Sequence, residues 1–187
     1  MSCRWTQVVC IFIQILLACS IVDAIRIAST STRIPTAFSK RIYDILTYHK
    51  IIPDVLDYSP FDMLTVRYLN GLAPSLGNIF VAEDVQYAPY FVGWPCIRNR
   101  TYTLIMTDPD VPSRDNPTHR EYRHWLIVNI RGPNLFSGSV ITKYKGPKLR
   151  PGSGSHRYIF LVYKQPHVHV DFSDAFAEYH ECLDDAT

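Results

Sequence analysis

Apolar and polar positions alternate with a period of two along much of this chain, and that pattern predicts mostly strands. Met63–Tyr68 reads MLTVRY and is followed by Asn70-Gly71, a strong turn signal. Tyr102–Thr107 and Trp125–Ile130 are apolar, β-branched runs of strand length, Ser139–Tyr144 is a shorter one, and His156–Gln165 (HRYIFLVYKQ) is the longest. Helical spacing occurs only near the ends. Ser39 can cap a helix carrying Ile42, Ile45, Leu46 and His49, which Pro53 and Pro60 close off, and Ser173 can cap another carrying Phe172, Phe176, Tyr179 and Leu183. Between Gly71 and Pro95 the signals are those of turns, and GPKLRPGSGS from Gly146 to Ser155 reads as a flexible loop. Many strands with peripheral helices make a single, mostly β domain.

The amino terminus follows a different plan. Arg4 is the only charge before the apolar run Val8–Ala18, and Val22-Asp23-Ala24 supplies a small-residue cleavage site. That is the layout of a secretory signal peptide, so the expectation is a leader over 1–24, a mature domain over 25–187, and a secreted, extracellular product. Cleavage after Ser20 and an uncleaved anchor are the alternatives. The anchor is disfavoured because a span needs about 20 apolar residues and Gln14 interrupts this run. Export leaves Cys96 and Cys182, which either pair as a disulfide or remain separate buried thiols. Asn99-Arg100-Thr101 is a glycosylation sequon; Asn116-Pro117-Thr118 is disqualified by its proline.

Composition adds little except exclusions. With 187 residues, 47% hydrophobic and a net charge of +2, the chain is globular and lacks the strong basic field of a nucleic-acid binder.

Candidate chemistry gathers in the loop joining Tyr102–Thr107 to Trp125–Ile130. It holds Asp108, Asp110, Arg114, Asp115, His119, Arg120, Glu121, Arg123 and His124, stiffened by Pro109, Pro112 and Pro117. Residues two apart on a strand share a face, so Tyr122 points with His124 and His156 with Tyr158, while Arg157 and Ile159 point the other way. The same rule turns Trp125 away from His124 and into the core. If the strands adjoin, two histidines, two tyrosines and Asp108 converge, a set suited to a zwitterion: imidazoles for phosphate oxygens, a carboxylate for an ammonium, ring faces for a cation. Arg120 and Glu121 read as structural ion-pair partners, and His167 and His169 as surface residues. A metal site of Asp108, Asp110, His124 and His156 can be drawn, but its spacing matches no dedicated motif and no nucleophile stands beside the histidines. The expectation is a protein without cofactor or metal and without enzymatic turnover.

YTLIMTDPDVPSR, REYRHWLIVNI and GSGSHRYIFLVYKQ, with IIPDVLDYSPFDMLTVRY and LGN upstream, resemble the signature blocks of the phosphatidylethanolamine-binding protein family, which includes the Raf kinase inhibitor proteins. The likeness covers roughly Phe38 to Glu178. It implies a large antiparallel central sheet, a smaller second sheet and short peripheral helices, with an anion pocket at one end. It places Asp108, Pro112, Tyr122, His124, His156 and Tyr158 in that pocket, and His119 and Gly146 are expected to bind the ligand with them. The implied ligand is phosphatidylethanolamine or another phosphate-headed molecule, with peripheral membrane contact. The alternative is an extracellular serine protease inhibitor or interaction module on the same face. Tyr122 stands where tryptophan is frequent, His119 where tyrosine is usual, and Lys148-Leu149-Arg150 where the family has a Gly-Pro-Pro-like rim. The family pattern also runs on into a further strand and helix, so the expectation is a shortened domain lacking both.

Overall fold

The computed structural model describes the backbone of residues 7–15 and the whole of residues 37–173. Eight strands form two sheets. In chain order they are β1 (Gln7–Ile15), β2 (Thr65–Arg67), β3 (Asn78–Val81), β4 (Phe91–Gly93), β5 (Thr101–Asp108), β6 (Tyr122–Arg131), β7 (Ser139–Thr142) and β8 (His156–Lys164). The main sheet has the order β3-β1-β8-β5-β6-β7, and β2 pairs with β4 in a small second sheet. Pairing is antiparallel throughout except between β1 and β8, which run parallel from Val8↔His156 to Ile15↔Tyr163. The segment read as an apolar leader therefore lies within the main sheet.

Each face of the main sheet has its own core, as the period-two pattern requires. One face packs Tyr102, Leu104, Met106, Trp125, Tyr158, Phe160 and Val162 against Val66 and Val92 of the second sheet and Val85 of a 3-10 turn (Ala82–Val85). The other sets Ile159 and Leu161 of β8 against Ile42 and Leu46 of helix α1 (Ala37–Tyr48) and Ile51 beyond it. Complete burial of a side chain such as Phe160 is worth roughly 1.5–3 kcal/mol. Helix α1 stops at a left-handed Lys50 (φ 56°), where the Ile51 N–H reaches back to the Leu46 carbonyl at 2.8 Å. It begins at Ala37, which places Ser39 in its first turn and not ahead of it.

Three expectations need correction or delimitation. The stretch read as turns before Pro95 contains β3 and β4, of four and three residues, too short to show a period. Strand β6 begins at Tyr122, earlier than its apolar run. The helix read over Ser173–Leu183 and the second cysteine, Cys182, lie outside the described residues beyond Ser173, while Cys96 is exposed.

Candidate functional site

Asp108 ends β5, Tyr122 begins β6 directly opposite it, and His156 begins β8, so three strand ends meet. The Asp108 carboxylate is 1% exposed. Its Oδ1 accepts the Asp110 N–H at 2.8 Å, an Asx turn that folds the chain over Pro109. Its Oδ2 accepts from His156 Nδ1 at 2.7 Å. That bond makes Nδ1 the donor to the carboxylate and leaves Nε2 pointing elsewhere. His156 Nε2 is buried and has no hydrogen-bond partner.

His124 is held in the same way by a different partner. Its Nδ1 donates to the Lys145 carbonyl at 2.7 Å, while the Lys145 N–H donates back to the His124 carbonyl at 2.8 Å. His124 Nε2 then faces Asp108 Oδ2 at 4.0 Å, beyond hydrogen-bond reach. Burial, the largest influence, pushes the His124 pKa below the ordinary histidine value; the Lys145 bond and Asp108 oppose it, while the Lys145 and His156 charges add to it. His124 is therefore neutral at pH 7. Its ring lies edge-on between Tyr122 and Tyr158, 4.9 Å from each, and His156 stacks on Tyr158 at 6.4 Å.

The neighbourhood of Trp125 departs from simple alternation. Pairing runs Met106↔Trp125 and then Thr107↔Arg123, leaving His124 as the extra residue of a bulge. His124 touches Tyr158 and Trp125 touches Phe160, two residues of one face of β8, so both project to the same side. Trp125 is buried, but it does not turn away from His124. The bulge re-aims His124 into the site without displacing Trp125 from the core.

On the opposite face of β8, Arg157 makes a buried ion pair with Asp110, including Nε to Oδ2 at 2.9 Å, and reaches Asp54 Oδ2 at 2.8 Å. Arg120 joins Asp54 at 3.0 Å and Glu121 at 3.2 Å, consistent with the structural role read for that pair. Asp110 is thus committed away from His124 and His156. Among the described residues no group of three or more acidic, histidine or cysteine side chains is placed to hold a metal ion.

Gly146 sits beside the site because a Cβ there would come within 2.5 Å of the Gln86 backbone. Gln86 Nε2 also donates to the Pro147 carbonyl, and Tyr144 Oη donates to the Val85 carbonyl at 2.8 Å, so the 143–147 segment is strapped to the 3-10 turn. Pro112 follows a cis peptide bond in the partly buried β5–β6 loop. His119 is exposed on that loop; its backbone N–H donates to Val111, and none of the ring contacts described above includes it. Asn99 is exposed with φ 60° in the turn before β5, while His167 and His169 are exposed after β8. The residue that sequence reasoning overlooked is Lys145, whose Nζ lies 5.9 Å from the Tyr122 ring centre. Its only signal was the basic run Lys143, Lys145, Lys148 and Arg150.

The family model described as "Phosphatidylethanolamine-binding protein" matches residues 82–185. A curated relative from Drosophila melanogaster, "Putative odorant-binding protein A5", is 34% identical over 121 residues, which is 65% of this chain and 57% of that protein. The chain thus spans little more than half the length of that relative. A carboxypeptidase Y inhibitor, in a crystal structure with its cognate proteinase, superposes with a TM-score of 0.64 at 27% identity, covering 72% of this chain and 75% of the inhibitor. A phosphatidylethanolamine-binding protein from Plasmodium vivax gives 0.57 at 25% identity, covering 64% and 68%.

Proposed function

The chain belongs to the phosphatidylethanolamine-binding protein family, and on that premise we propose that it is a non-catalytic binding protein whose site takes a phosphate-headed ligand. One observation carries this reading: His124 and His156 stand at the site with Nδ1 committed to Lys145 and Asp108, and His156 Nε2 is buried without a hydrogen-bond partner. A buried polar atom without a partner is uncommon in folded proteins and calls for a ligand. Neutral Nε2 of His124 accepts, so a phosphate oxygen binds there when that ring takes up a proton and becomes a donor. Each charge-assisted hydrogen bond so formed contributes roughly 1.5–3 kcal/mol. Asp108 orients His156, Tyr122 and Tyr158 brace the rings, and Pro112 and Gly146 shape the adjoining loops. Phosphatidylethanolamine is one source of such a group, and contact with a membrane surface would follow from it.

The test is calorimetric titration with inorganic phosphate of wild type, His156→Ala and His167→Ala. Loss of about tenfold or more in affinity for His156→Ala alone is the expected result. Equal affinities in all three proteins overturn the reading.

A second reading, inhibition of a secreted protease, rests on the likeness to the carboxypeptidase Y inhibitor. Retention of the chain on an immobilised serine carboxypeptidase supports it; passage through unretained, with full protease activity left, counts against it. The leader pattern at the amino terminus supports secretion, with cleavage after Ala24, Asn99 glycosylated, and Cys96 open to pairing with Cys182. Among the described residues no helix is long and apolar enough to cross a membrane. Amino-terminal sequencing that begins at Ile25 supports export. A retained Met1, with slow amide exchange along β8, places β1 in the working sheet instead.

A further inference from the structure

Lys145 sets its charge beside Tyr122, at the exposed side of the site. Its backbone is fixed by the two-way bonding to His124, with Lys145 N–H to His124 O at 2.8 Å and His124 Nδ1 to Lys145 O at 2.7 Å. From that anchor its ammonium extends over Tyr122, 5.9 Å from the ring centre. Tyr122 is 39% exposed and in turn lies 4.9 Å from His124. The aromatic face that a ligand's ammonium would use is therefore already covered by a protein ammonium.

The surrounding charges point the same way. No acidic residue occurs between Glu121 and Asp171, while Lys143, Lys145, Lys148 and Arg150 crowd the segment that passes the site. Of the nearby carboxylates, Asp108 has both oxygens accepting hydrogen bonds and is buried. Glu83 and Asp84 are exposed on the 3-10 turn before Gln86. A zwitterionic headgroup entering here would bring its ammonium toward Lys145, and the buried carboxylate of the site, Asp108, is already engaged by the Asp110 N–H and His156.

We propose that Lys145 is a specificity-determining residue that makes the site select phosphomonoesters lacking an ammonium over zwitterionic phosphate headgroups. This rests on the phosphate-binding reading and narrows it. A phosphomonoester is largely a dianion above its second pKa of about 6, and it meets a fixed positive charge in Lys145 in addition to the two imidazoles. Phosphoethanolamine offers the same dianion but adds a like charge beside Lys145. At an effective dielectric between that of a protein surface and water, such repulsion at about 6 Å corresponds to roughly three- to tenfold or more in affinity.

The ligand pair that isolates this effect is ethyl phosphate and O-phosphoethanolamine, which differ by the ammonium alone. Titrated at about pH 7.5, where both are mainly dianions, wild type is expected to bind ethyl phosphate three- to tenfold or more tightly. Lys145→Met should bring the ratio toward one, and Lys145→Arg should keep it. A ratio near one in wild type, or one unchanged by Lys145→Met while both ligands still bind, overturns the proposal. Failure of both ligands to bind wild type overturns instead the reading beneath it. Vesicles of phosphatidylcholine doped with phosphatidic acid or with phosphatidylethanolamine separate the sources. Capture by phosphatidic acid assigns a lipid monoester, ethyl phosphate binding without capture assigns a soluble one, and preference for phosphatidylethanolamine contradicts the proposal.

Discussion

Strand β8 carries one charged arrangement on each face, and the two differ in how completely their polar atoms are used. On the α1 side, Arg157 is bonded to Asp110 and Asp54 and donates to the Lys50 carbonyl at 2.6 Å. On the other side, His156 uses one ring nitrogen for Asp108 and leaves the other buried without a partner. Asp108 and Asp110 stand two residues apart, yet one supports a ligand site and the other a clamp. Two carboxylates so close in sequence are told apart by the partners they face. A saturated network holds loops together; an unsaturated one of equal burial is where a ligand belongs.

The largest expected effect falls on the saturated side. Arg157→Met leaves Asp110 charged and buried without its partner, and urea denaturation should show a loss of about 3–5 kcal/mol. A loss below about 1 kcal/mol would mean that the network is not holding the loops. On the unsaturated side His156→Ala should leave most of the stability and remove roughly 1.5–3 kcal/mol of phosphate binding, read by calorimetry. If the two variants exchanged these effects, the contrast between the faces would be wrong.

A smaller effect is expected from pH. The folded His124 pKa lies below its unfolded value, so the unfolded chain binds more protons as pH falls below about 6.5. The contribution of neutral His124 is complete above that pH and is lost progressively as pH falls toward the depressed folded pKa. Thermal melts between pH 7.5 and 5 should show the decline, and His124→Gln should flatten it; identical slopes in the two proteins would exclude His124 as its source. Smallest of all, Tyr122→Leu removes one of the two rings that brace His124 and should weaken phosphate binding by a few-fold, with about 0.5–1.5 kcal/mol at stake in the ring contact.

Long apolar runs were enough to find β5, β6 and β8, whose two faces both meet a core, and the period of two separated His156 and Tyr158 from Arg157. It failed at His124 and Trp125, where one inserted residue puts neighbours on a common side, a feature that depends on pairing with β5 and leaves no mark in one strand's sequence. Strands β3 and β4 escaped for want of length. Lys145 escaped because its role comes from the return of the chain past His124, a contact between residues 21 apart. The different fates of Asp108 and Asp110 were equally hidden, since the Asx turn across Pro109 decides which face each carboxylate meets.

The central claim is that the site holds a neutral His124 imidazole that takes up a proton to receive a tetrahedral anion. Sulfate tests it most directly, because it does not titrate near neutrality and any proton gained belongs to the protein. Calorimetric titration with sulfate at about pH 7.5, in two buffers of different ionisation enthalpy, should report uptake of about one proton per anion bound, reduced in His124→Gln. Sulfate binding without proton uptake, or no sulfate binding at all, would contradict the account.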